Sequence, residues 1–146
     1  MMRGNEEIIR ELYAAAEGQG EGQGTDIEKF VSLFSAEGYM LDIPSGIKFR
    51  GHAIGDSIAG FASAFPDVHR ELISIYVVDN VVVVELATRG THKGELALAS
   101  GTLAPTGKAI NVPSCDVFHL ESGKITSFHC YNAASVMQQQ LGVGLG

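Results

Sequence analysis

Basic residues are few in this chain and nowhere clustered. Ten lysines and arginines stand against 17 aspartates and glutamates, which gives a formal net charge of −7 at pH 7. Nucleic acids and anionic membranes bind basic patches, so this balance argues against both as partners. No apolar run approaches the length of a membrane span, and the first ten residues, MMRGNEEIIR, lack the apolar core of a secretion signal. We therefore expect a cytoplasmic protein.

Cysteine is also scarce. The two cysteines, Cys115 and Cys130, fall on neighbouring predicted strands, and without a secretion signal we expect free thiols in place of a disulfide. The five histidines show no metal-ligand spacing with a third partner, so no metal site is predicted. No glycine-rich phosphate motif follows a strand and opens a helix. The sequence therefore predicts a protein that works without a cofactor.

Apolar residues, by contrast, are plentiful. They make up 45% of the 146 residues, enough for the core of one globular domain over residues 1–146. The one low-complexity stretch is glycine-rich, GQGEGQG at residues 18–24, and is predicted to be a flexible loop. We expect residues 1–4 and 142–146 to be frayed.

Helical patterns come first in the chain and strand patterns after them. Asn5 is predicted to cap the first helix, and Thr25 opens a capping box for the second. The second helix is predicted to run to Gly38, with Phe34 on its buried side. The later predicted segments are an extended piece at 39–43, a helix at 52–65, strands at 72–78, 81–88 and 95–102, a hairpin at 111–132 and a helix at 133–141. This order predicts an α+β fold.

The hairpin at 111–132 matters most, because a slip of one residue turns every side chain to the other face. A two-residue loop at Ser122-Gly123 requires positive φ at serine, which serine adopts reluctantly. A three-residue loop, Glu121 to Gly123, needs only glycine in the left-handed position. We therefore predict the three-residue loop.

That register gives the hairpin one face with a carboxyl in mid-strand. Its members are Ser114, Asp116, Phe128, Cys130 and Asn132, with Asp116 near Phe128 and Ser114 near Cys130, while Cys115 and His129 point to the other face. A buried carboxyl in this position is either a functional group with a shifted pKa or a core residue that hydrogen-bonds its neighbours.

The run Val81 to Val84 does not alternate with polar residues. An antiparallel strand with one wet face should alternate, so we expect both faces of this strand to be covered. The helices can cover one face. A second copy of the chain is predicted to cover the other, giving a homodimer.

Seven short motifs resemble those of one family. They are Phe49-Arg50-Gly51, Phe65-Pro66-Asp67, Gly90-Thr91-His92-Lys93-Gly94, Pro105-Thr106-Gly107-Lys108, Asp116-Val117-Phe118, Gly123-Lys124-Ile125 and Gln140-Leu141-Gly142. In this order and spacing the chain resembles the SnoaL-like polyketide cyclases of the nuclear transport factor 2-like superfamily. The resemblance implies a cone-shaped, curved antiparallel sheet wrapped by three N-terminal helices. The position of the cyclase aspartate corresponds here to Cys130 or Asn132, neither of which moves a proton as a carboxylate does.

A more distant resemblance, to ketosteroid isomerase, concerns the chemistry. Tyr13 on the first helix, Asp42 after the second and Asp116 on a late strand match that enzyme's three catalytic positions. The resemblance implies that Asp42 takes a proton next to a carbonyl group. Tyr13 and a neutral Asp116 would then hold the enolate oxygen. From the residues alone, Asp42 is equally suited to bracing the turn at Pro44-Ser45-Gly46.

The expected ligand is a small hydrophobic carbonyl compound in an apolar pocket between helices and sheet. The residues predicted to line this pocket beside the three catalytic ones are Phe34, Tyr39, Phe61, Ser114, Phe118, Phe128, Cys130 and Asn132. An isomerase or cyclase acting by proton transfer is the leading hypothesis. The alternatives are a non-catalytic binding domain and an epoxide or ester hydrolase. The hydrolase needs an arginine in the site, and Arg50 and Arg89 lie near turns.

Overall fold

The computed structural model describes residues 4–18, 24–98 and 100–143. Its elements are α1 (Asn5–Ala15), α2 (Ile27–Ser32), β1 (Phe34–Asp42), β2 (Ile47–Arg50), α3 (His52–Ala64), β3 (His69–Val78), β4 (Val81–Thr91), β5 (Leu96–Leu98), β6 (Gly101–Leu103), β7 (Ala109–Glu121), β8 (Lys124–Asn132) and α4 (Ala134–Gln140). Most of the glycine-rich stretch and of the two ends that we expected to fray lies outside the described residues.

Six strands form one curved sheet in the order β2–β1–β8–β7–β4–β3. Neighbouring strands pair antiparallel except β1 and β8, which run parallel. The predicted α+β class is confirmed, with a mixed sheet in place of a purely antiparallel one. The single strand predicted at 95–102 is wrong. The chain reverses between Leu98 and Gly101, so that β5 and β6 form a separate two-stranded sheet.

The helices differ from prediction mainly at their ends. Gly4, and not Asn5, precedes α1, and the Asn5 side chain donates to the Asp79 carbonyl oxygen at 3.4 Å. Asp26, and not Thr25, caps α2 by accepting from the Lys29 N–H at 3.1 Å. Across the described ranges, no helix has both the length and the apolar character needed to cross a bilayer.

Gly38 lies in β1 and not at the end of a helix. The six-residue α2 ends before Phe34, and the residues that we expected to extend it form the first half of the strand. A Cβ at Gly38 would stand 2.6 Å from the carbonyl oxygen of Ile125 in β8. The glycine therefore permits a close approach of the two backbones at the point where the β1–β8 register shifts.

The β7–β8 hairpin closes with a two-residue turn, so the predicted three-residue loop is wrong. Ser122 and Gly123 have φ values of 50° and 77°, and Glu121 pairs directly with Lys124. Two consecutive residues with positive φ are typical of the type I′ turn, whose twist matches that of the flanking strands. This match outweighs the reluctance of serine to adopt positive φ.

A β-bulge at Thr126 restores the predicted faces of the hairpin. The register shifts between the His119–Ser127 and Leu120–Ile125 pairs, which leaves Thr126 as the extra residue. The shorter turn alone would have exchanged the two faces, and the extra residue reverses that exchange. Asp116 therefore pairs with Cys130, two residues from its predicted partner, and the predicted side chains still share a face.

The inner face of the sheet packs against α1, α2 and α3. The main core joins Ile8, Ile9, Leu12 and Tyr13 of α1 and Ile54 and Ile58 of α3 to Val82, Val84, Leu86, Phe118, Leu120, Ile125 and Phe128 of the sheet. A second apolar cluster fills the space between the end of α3, β5, the start of β7 and the residues around α4. The sheet thus supplies one long inner face that packs against side chains of the helices.

The outer face of β3 and β4 carries apolar side chains that nothing in the described chain covers. Tyr76 and Val78 are 51% and 67% exposed. On β4, Val82 and Val84 are buried, whereas Val81 and Val83 are only half-buried. The inner face of the valine run is thus covered, as predicted. That a second copy of the chain covers the outer face stays a prediction.

Candidate active site

Three strands place a row of polar side chains side by side on the inner face. Asp116 of β7 pairs with Cys130 of β8, and Cys130 pairs with Asp42 of β1. Ser114 and Asn132 form the next pair along β7 and β8. Residues directly opposite on neighbouring strands point to the same side of a sheet, so all five side chains are neighbours. The structure therefore brings together residues that the sequence analysis selected from distant positions.

Tyr13 reaches this row from α1. It lies on the buried stripe of the helix, and its hydroxyl donates a hydrogen bond of 2.6 Å to Oδ2 of Asp116. Tyr13 is 5% exposed and Asp116 is 3% exposed. Ser114 Oγ lies 3.5 Å from the other carboxylate oxygen. The pair thus joins a helix to the middle of the sheet through one short bond inside the core.

Burial changes the acidity of both partners. It raises the pKa of Asp116 from 3.8 to about 6, although hydrogen bonds from Tyr13 and Cys130 and the charge of Arg70 act in the opposite direction. Burial, together with the charge of Asp116, raises the pKa of the Tyr13 hydroxyl well above 10.0. Near neutral pH, Tyr13 is therefore a neutral donor, while Asp116 is a carboxyl group that can take up or release a proton.

A chain of polar contacts connects Asp116 to Asp42. The Cys130 thiol lies opposite Asp116 on the neighbouring strand, and its pKa is raised by burial and by the charge of that carboxylate. Asn132 Nδ2 donates to Oδ1 of Asp42 at 2.7 Å and lies 3.3 Å from the Cys130 sulfur. Tyr13, Asp116 and Asp42, the three residues matched to an isomerase, thus belong to one connected network.

Asp42 also braces the turn that follows β1. Its Oδ2 accepts from the Ser45 hydroxyl at 2.6 Å and from the Ser45 N–H at 3.3 Å. Its Oδ1 is occupied by Asn132. Asp42 is half-buried, and both of its oxygens are engaged. The turn-bracing alternative that the sequence left open is therefore realised, in addition to the link to the network.

Phe118 and Phe128 form an aromatic floor beside Asp116. They pair across β7 and β8, and their ring centroids are 4.3 Å apart. The Tyr13 ring meets Phe118 edge-on at 6.0 Å. Phe118 is fully buried, and Phe128 is 5% exposed. These two residues, predicted to line a pocket, are thus packed in the core next to the polar row.

Two other predicted pocket residues, Phe34 and Tyr39, lie away from Asp116. Phe34 packs on Phe30 at the hairpin end of the sheet, where it pairs with Ile125. Tyr39 lies on the outer face, with its hydroxyl 3.0 Å from Nε2 of His129, because it neighbours the inward-facing Met40 in β1.

Phe61 lies on α3. It stacks on Phe65 at a centroid distance of 4.8 Å and lies under the guanidinium of Arg70 at 5.5 Å. The structure does not bring Phe34 or Tyr39 to Asp116, and it connects Phe61 to the site through Arg70.

Arg70 is the site residue that sequence reasoning missed. It is the second residue of β3 and half-buried, and its positive charge interacts with the charge of Asp116. The predicted strand began at Leu72, two residues too late. Arg70 has the same parity as the inward-facing Leu72, so extending the strand back by two residues would have placed it on the inner face. Burial lowers the pKa of Arg70 below its ordinary value, against the effect of Asp116, and a guanidinium stays charged at neutral pH.

Comparison with known proteins shows the family and the fold of the chain. The family model of the SnoaL-like polyketide cyclases matches residues 21–140. The chain belongs to this SnoaL-like family. No curated protein sequence is significantly similar to it.

Solved structures of SnoaL-like and ketosteroid isomerase-like proteins share the fold. A SnoaL-like protein from Jannaschia sp. CCS1 superposes with a TM-score of 0.80 at 16% identity, over 99% of each chain. A protein with a ketosteroid isomerase-like fold from Catenulispora acidiphila has a TM-score of 0.76 at 24% identity, over 94% of each chain. IdmH from Streptomyces antibioticus has a TM-score of 0.76 at 18% identity, over 97% of this chain and 100% of its own. At these identities the likeness shows the fold.

A cavity of about 250 Å³ in this SnoaL-like chain lies away from the polar row. Its walls are formed by Thr25, Ile27, Ala59, Ala62, Ser63 and Pro66, at the facing ends of α2 and α3. None of these side chains is titratable, so the cavity by itself has no acid–base chemistry. We place the candidate active site at Asp116, where the shifted carboxyl and the hydrogen-bonded network lie. In the described ranges, no group of three histidine, cysteine, aspartate or glutamate side chains is arranged so that it could hold a metal ion.

Proposed function

We propose that this SnoaL-like protein is a cofactor-free acid–base catalyst that moves a proton at the carbon next to a carbonyl group of a small hydrophobic compound. One observation carries the proposal: a buried carboxyl, Asp116, has a pKa of about 6 and is hydrogen-bonded to a neutral phenol. A catalytic acid or base works best when its pKa lies near the working pH. Buried carboxyls with such shifts cluster at functional sites.

In the proposed reaction Asp116 is the base. A C–H bond next to the carbonyl breaks, the proton passes to a carboxylate oxygen, and the electron pair moves onto the carbonyl oxygen to give an enolate. In a substrate with a C=C bond next to that carbon, return of the proton to the far carbon of the double bond completes an isomerisation. Attack of the enolate carbon on a second carbonyl of the same molecule would instead close a ring, and the alkoxide formed would take the proton back from Asp116. Neither route needs an oxidant or a reductant.

The enolate oxygen requires a donor or a positive charge. The Tyr13 hydroxyl and the Arg70 guanidinium, which both interact with Asp116, can supply these, the hydroxyl once its proton turns from Asp116 to the enolate oxygen. One preorganised donor of this kind is typically worth on the order of a hundredfold in rate. The apolar part of the substrate would lie on Phe118 and Phe128, whose rings form the floor of the site.

These roles differ from those implied by the isomerase resemblance, in which Asp42 is the base. The oxygens of Asp42 already accept hydrogen bonds from Ser45 and Asn132. Asp42 therefore fits a positioning role, in which it holds Asn132, and Asn132 holds Cys130 against Asp116.

A non-catalytic binding domain is the second candidate. The observation in its favour is that the Tyr13 hydroxyl already satisfies Asp116 within the core. Buried polar groups are generally hydrogen-bonded, so a pair of this kind also occurs where its sole role is to organise packing.

A third candidate, an epoxide or ester hydrolase, gains support from Arg70. A hydrolase of this kind needs an arginine that acts with an aspartate, and the sequence analysis found no arginine in the site. Arg70, whose charge interacts with that of Asp116, is such an arginine. The hydrolase reading requires a water molecule held for attack by that pair, and an epoxide substrate would test it directly.

The experiment is deuterium exchange in heavy water at the carbon next to the carbonyl of bulky cyclic ketones, beginning with 1-tetralone. The wild-type protein should accelerate exchange above the buffer rate. Asp116→Asn keeps the size of the side chain and removes the base, so it should lower the rate by about a hundredfold to ten-thousandfold. Asp42→Asn is the matched control and should retain most of the rate.

The outcome separates the candidates. Loss of exchange in Asp42→Asn with a fully active Asp116→Asn would return the roles to those implied by the isomerase resemblance. Tight ketone binding without any exchange would favour the binding domain.

A further inference from the structure

Arg70 has hydrogen-bonding capacity that its described contacts do not use. A guanidinium carries five N–H donors. In the described residues Arg70 donates through Nη1 to the Ala16 carbonyl oxygen at 3.2 Å. The arginines that form ion pairs in the described residues are Arg10 with Glu6 and Arg89 with Glu71. Among the described residues, then, Arg70 is a half-buried cation whose charge no carboxylate neutralises by direct contact.

The environment of Arg70 holds its guanidinium in place. One face lies on the Phe61 ring at 5.5 Å, and the bond to Ala16 ties the group to the end of α1. A stacked guanidinium keeps its N–H edges free, and its planar fork matches the two oxygens of a carboxylate. Tyr13, one helical turn before Ala16, brings Asp116 to the same end of the site.

Capping of α1 explains only part of this arrangement. A side chain at the end of a helix can bond its last carbonyl groups, and Arg70 does so at Ala16. Lysine would serve that purpose too. A planar fork held on an aromatic ring beside a proton-transfer carboxyl has a second use, which is to bind an anion.

We propose that Arg70 is the anion-binding residue of this site and that the substrate class is a carbonyl compound that carries a carboxylate. This inference rests on the proposed function in placing the ligand beside Asp116. The substrate would lie with its carboxylate on Arg70, its apolar rings on Phe118 and Phe128, and its reacting carbon near Asp116. A protein of net charge −7 repels anions in general, so any preference for a carboxylate requires a local cation.

The test is equilibrium binding of two probes of nearly equal shape, 2-naphthoate and 2-naphthamide, at low ionic strength and pH 7.5. The wild-type protein should bind the carboxylate on the order of tenfold tighter than the neutral amide, because charge-assisted hydrogen bonds are the stronger ones. Arg70→Gln should remove this preference, and Arg70→Lys should keep part of it. Arg89→Gln, which removes an exposed arginine of β4, is the matched control and should keep all of it.

The wild-type comparison is decisive even if a variant of Arg70 fails to fold. Equal affinity for the two probes, or binding of neither, overturns the inference. A carboxylate preference that Arg89→Gln abolishes and Arg70→Gln leaves intact also overturns it. Failure of the proposed function is seen separately: a protein that prefers naphthoate but exchanges no ketone proton retains the anion site and loses the catalytic role.

Discussion

The hydroxyl of Tyr13 and the carboxylate of Asp116 form a hydrogen bond of 2.6 Å between α1 and the centre of the sheet. Both side chains are buried, and they lie 103 residues apart in the chain. The bond therefore links the start of the fold to its last hairpin, and it lowers the pKa of Asp116 against the larger effect of burial, which raises it. Structure and proposed chemistry depend on the same contact.

Tyr13→Phe should destabilise the protein by about 1–3 kcal/mol at pH 7.5, because Asp116 would lose a donor inside the core. The matched control is Tyr131→Phe. Tyr131 of β8 is 48% exposed, so loss of its hydroxyl should cost about 0.5 kcal/mol or less. Urea unfolding of the three proteins measures both effects. Equal small losses in the two variants would contradict the buried pair.

The raised pKa of Asp116 should also make stability depend on pH. The folded state binds the Asp116 proton more tightly than the unfolded state does, so the contribution of this group is most favourable below about pH 4 and declines as the pH rises towards 6. At 1.36 kcal/mol per unit, a rise from 3.8 to about 6 corresponds to about 3 kcal/mol.

Asp116→Asn does not titrate, so its stability relative to the wild type should increase by up to about 3 kcal/mol between pH 4 and pH 7.5. Unfolding by urea at a series of pH values measures this difference. Glu37→Gln removes an exposed carboxylate of β1 and should show no comparable trend. A difference between Asp116→Asn and the wild type that stays constant with pH would show that the pKa of Asp116 is not raised.

Parity along the strands was the most reliable guide to the site. The inward face of Ser114, Asp116, Phe128, Cys130 and Asn132 was predicted correctly, although the turn that sets it was not. The two-residue turn exchanges the two faces of the hairpin, and the bulge at Thr126 exchanges them back. No residue pattern in the hairpin predicts the bulge.

Where the prediction was incomplete, the boundary of an element had been misplaced. Starting β3 at Leu72 left Arg70 in a loop, and extending α2 through Phe34 put that residue on the wrong element. Tyr39 was assigned to the pocket without knowledge of its strand parity, which depends on the parallel pairing of β1 with β8. Such pairings join segments distant in sequence, so single-chain patterns contain little information about them.

The outer sheet face predicts association of two copies. If the exposed side of Val83, with Tyr76 and Val78 beside it, lies in a symmetric interface, sedimentation at micromolar concentration should give twice the 15.5 kDa mass of one chain. Val83→Glu would bury an unpaired charge in that interface and should yield a folded monomer. Ile47→Glu alters an exposed apolar residue of β2 and should leave the mass unchanged. A wild-type protein that sediments at 15.5 kDa throughout would contradict the dimer.

The pH dependence of ketone deuterium exchange tests the central claim most directly. If Asp116 is the base, kcat/KM for exchange should rise with pH through an inflection near 6 and level off above it, since only the ionised carboxylate accepts a proton. Asp116→Asn should lose both the inflection and at least about a hundredfold of the rate. A wild-type profile that is flat between pH 5 and 7, or an inflection near 6 that survives in Asp116→Asn, would contradict the account.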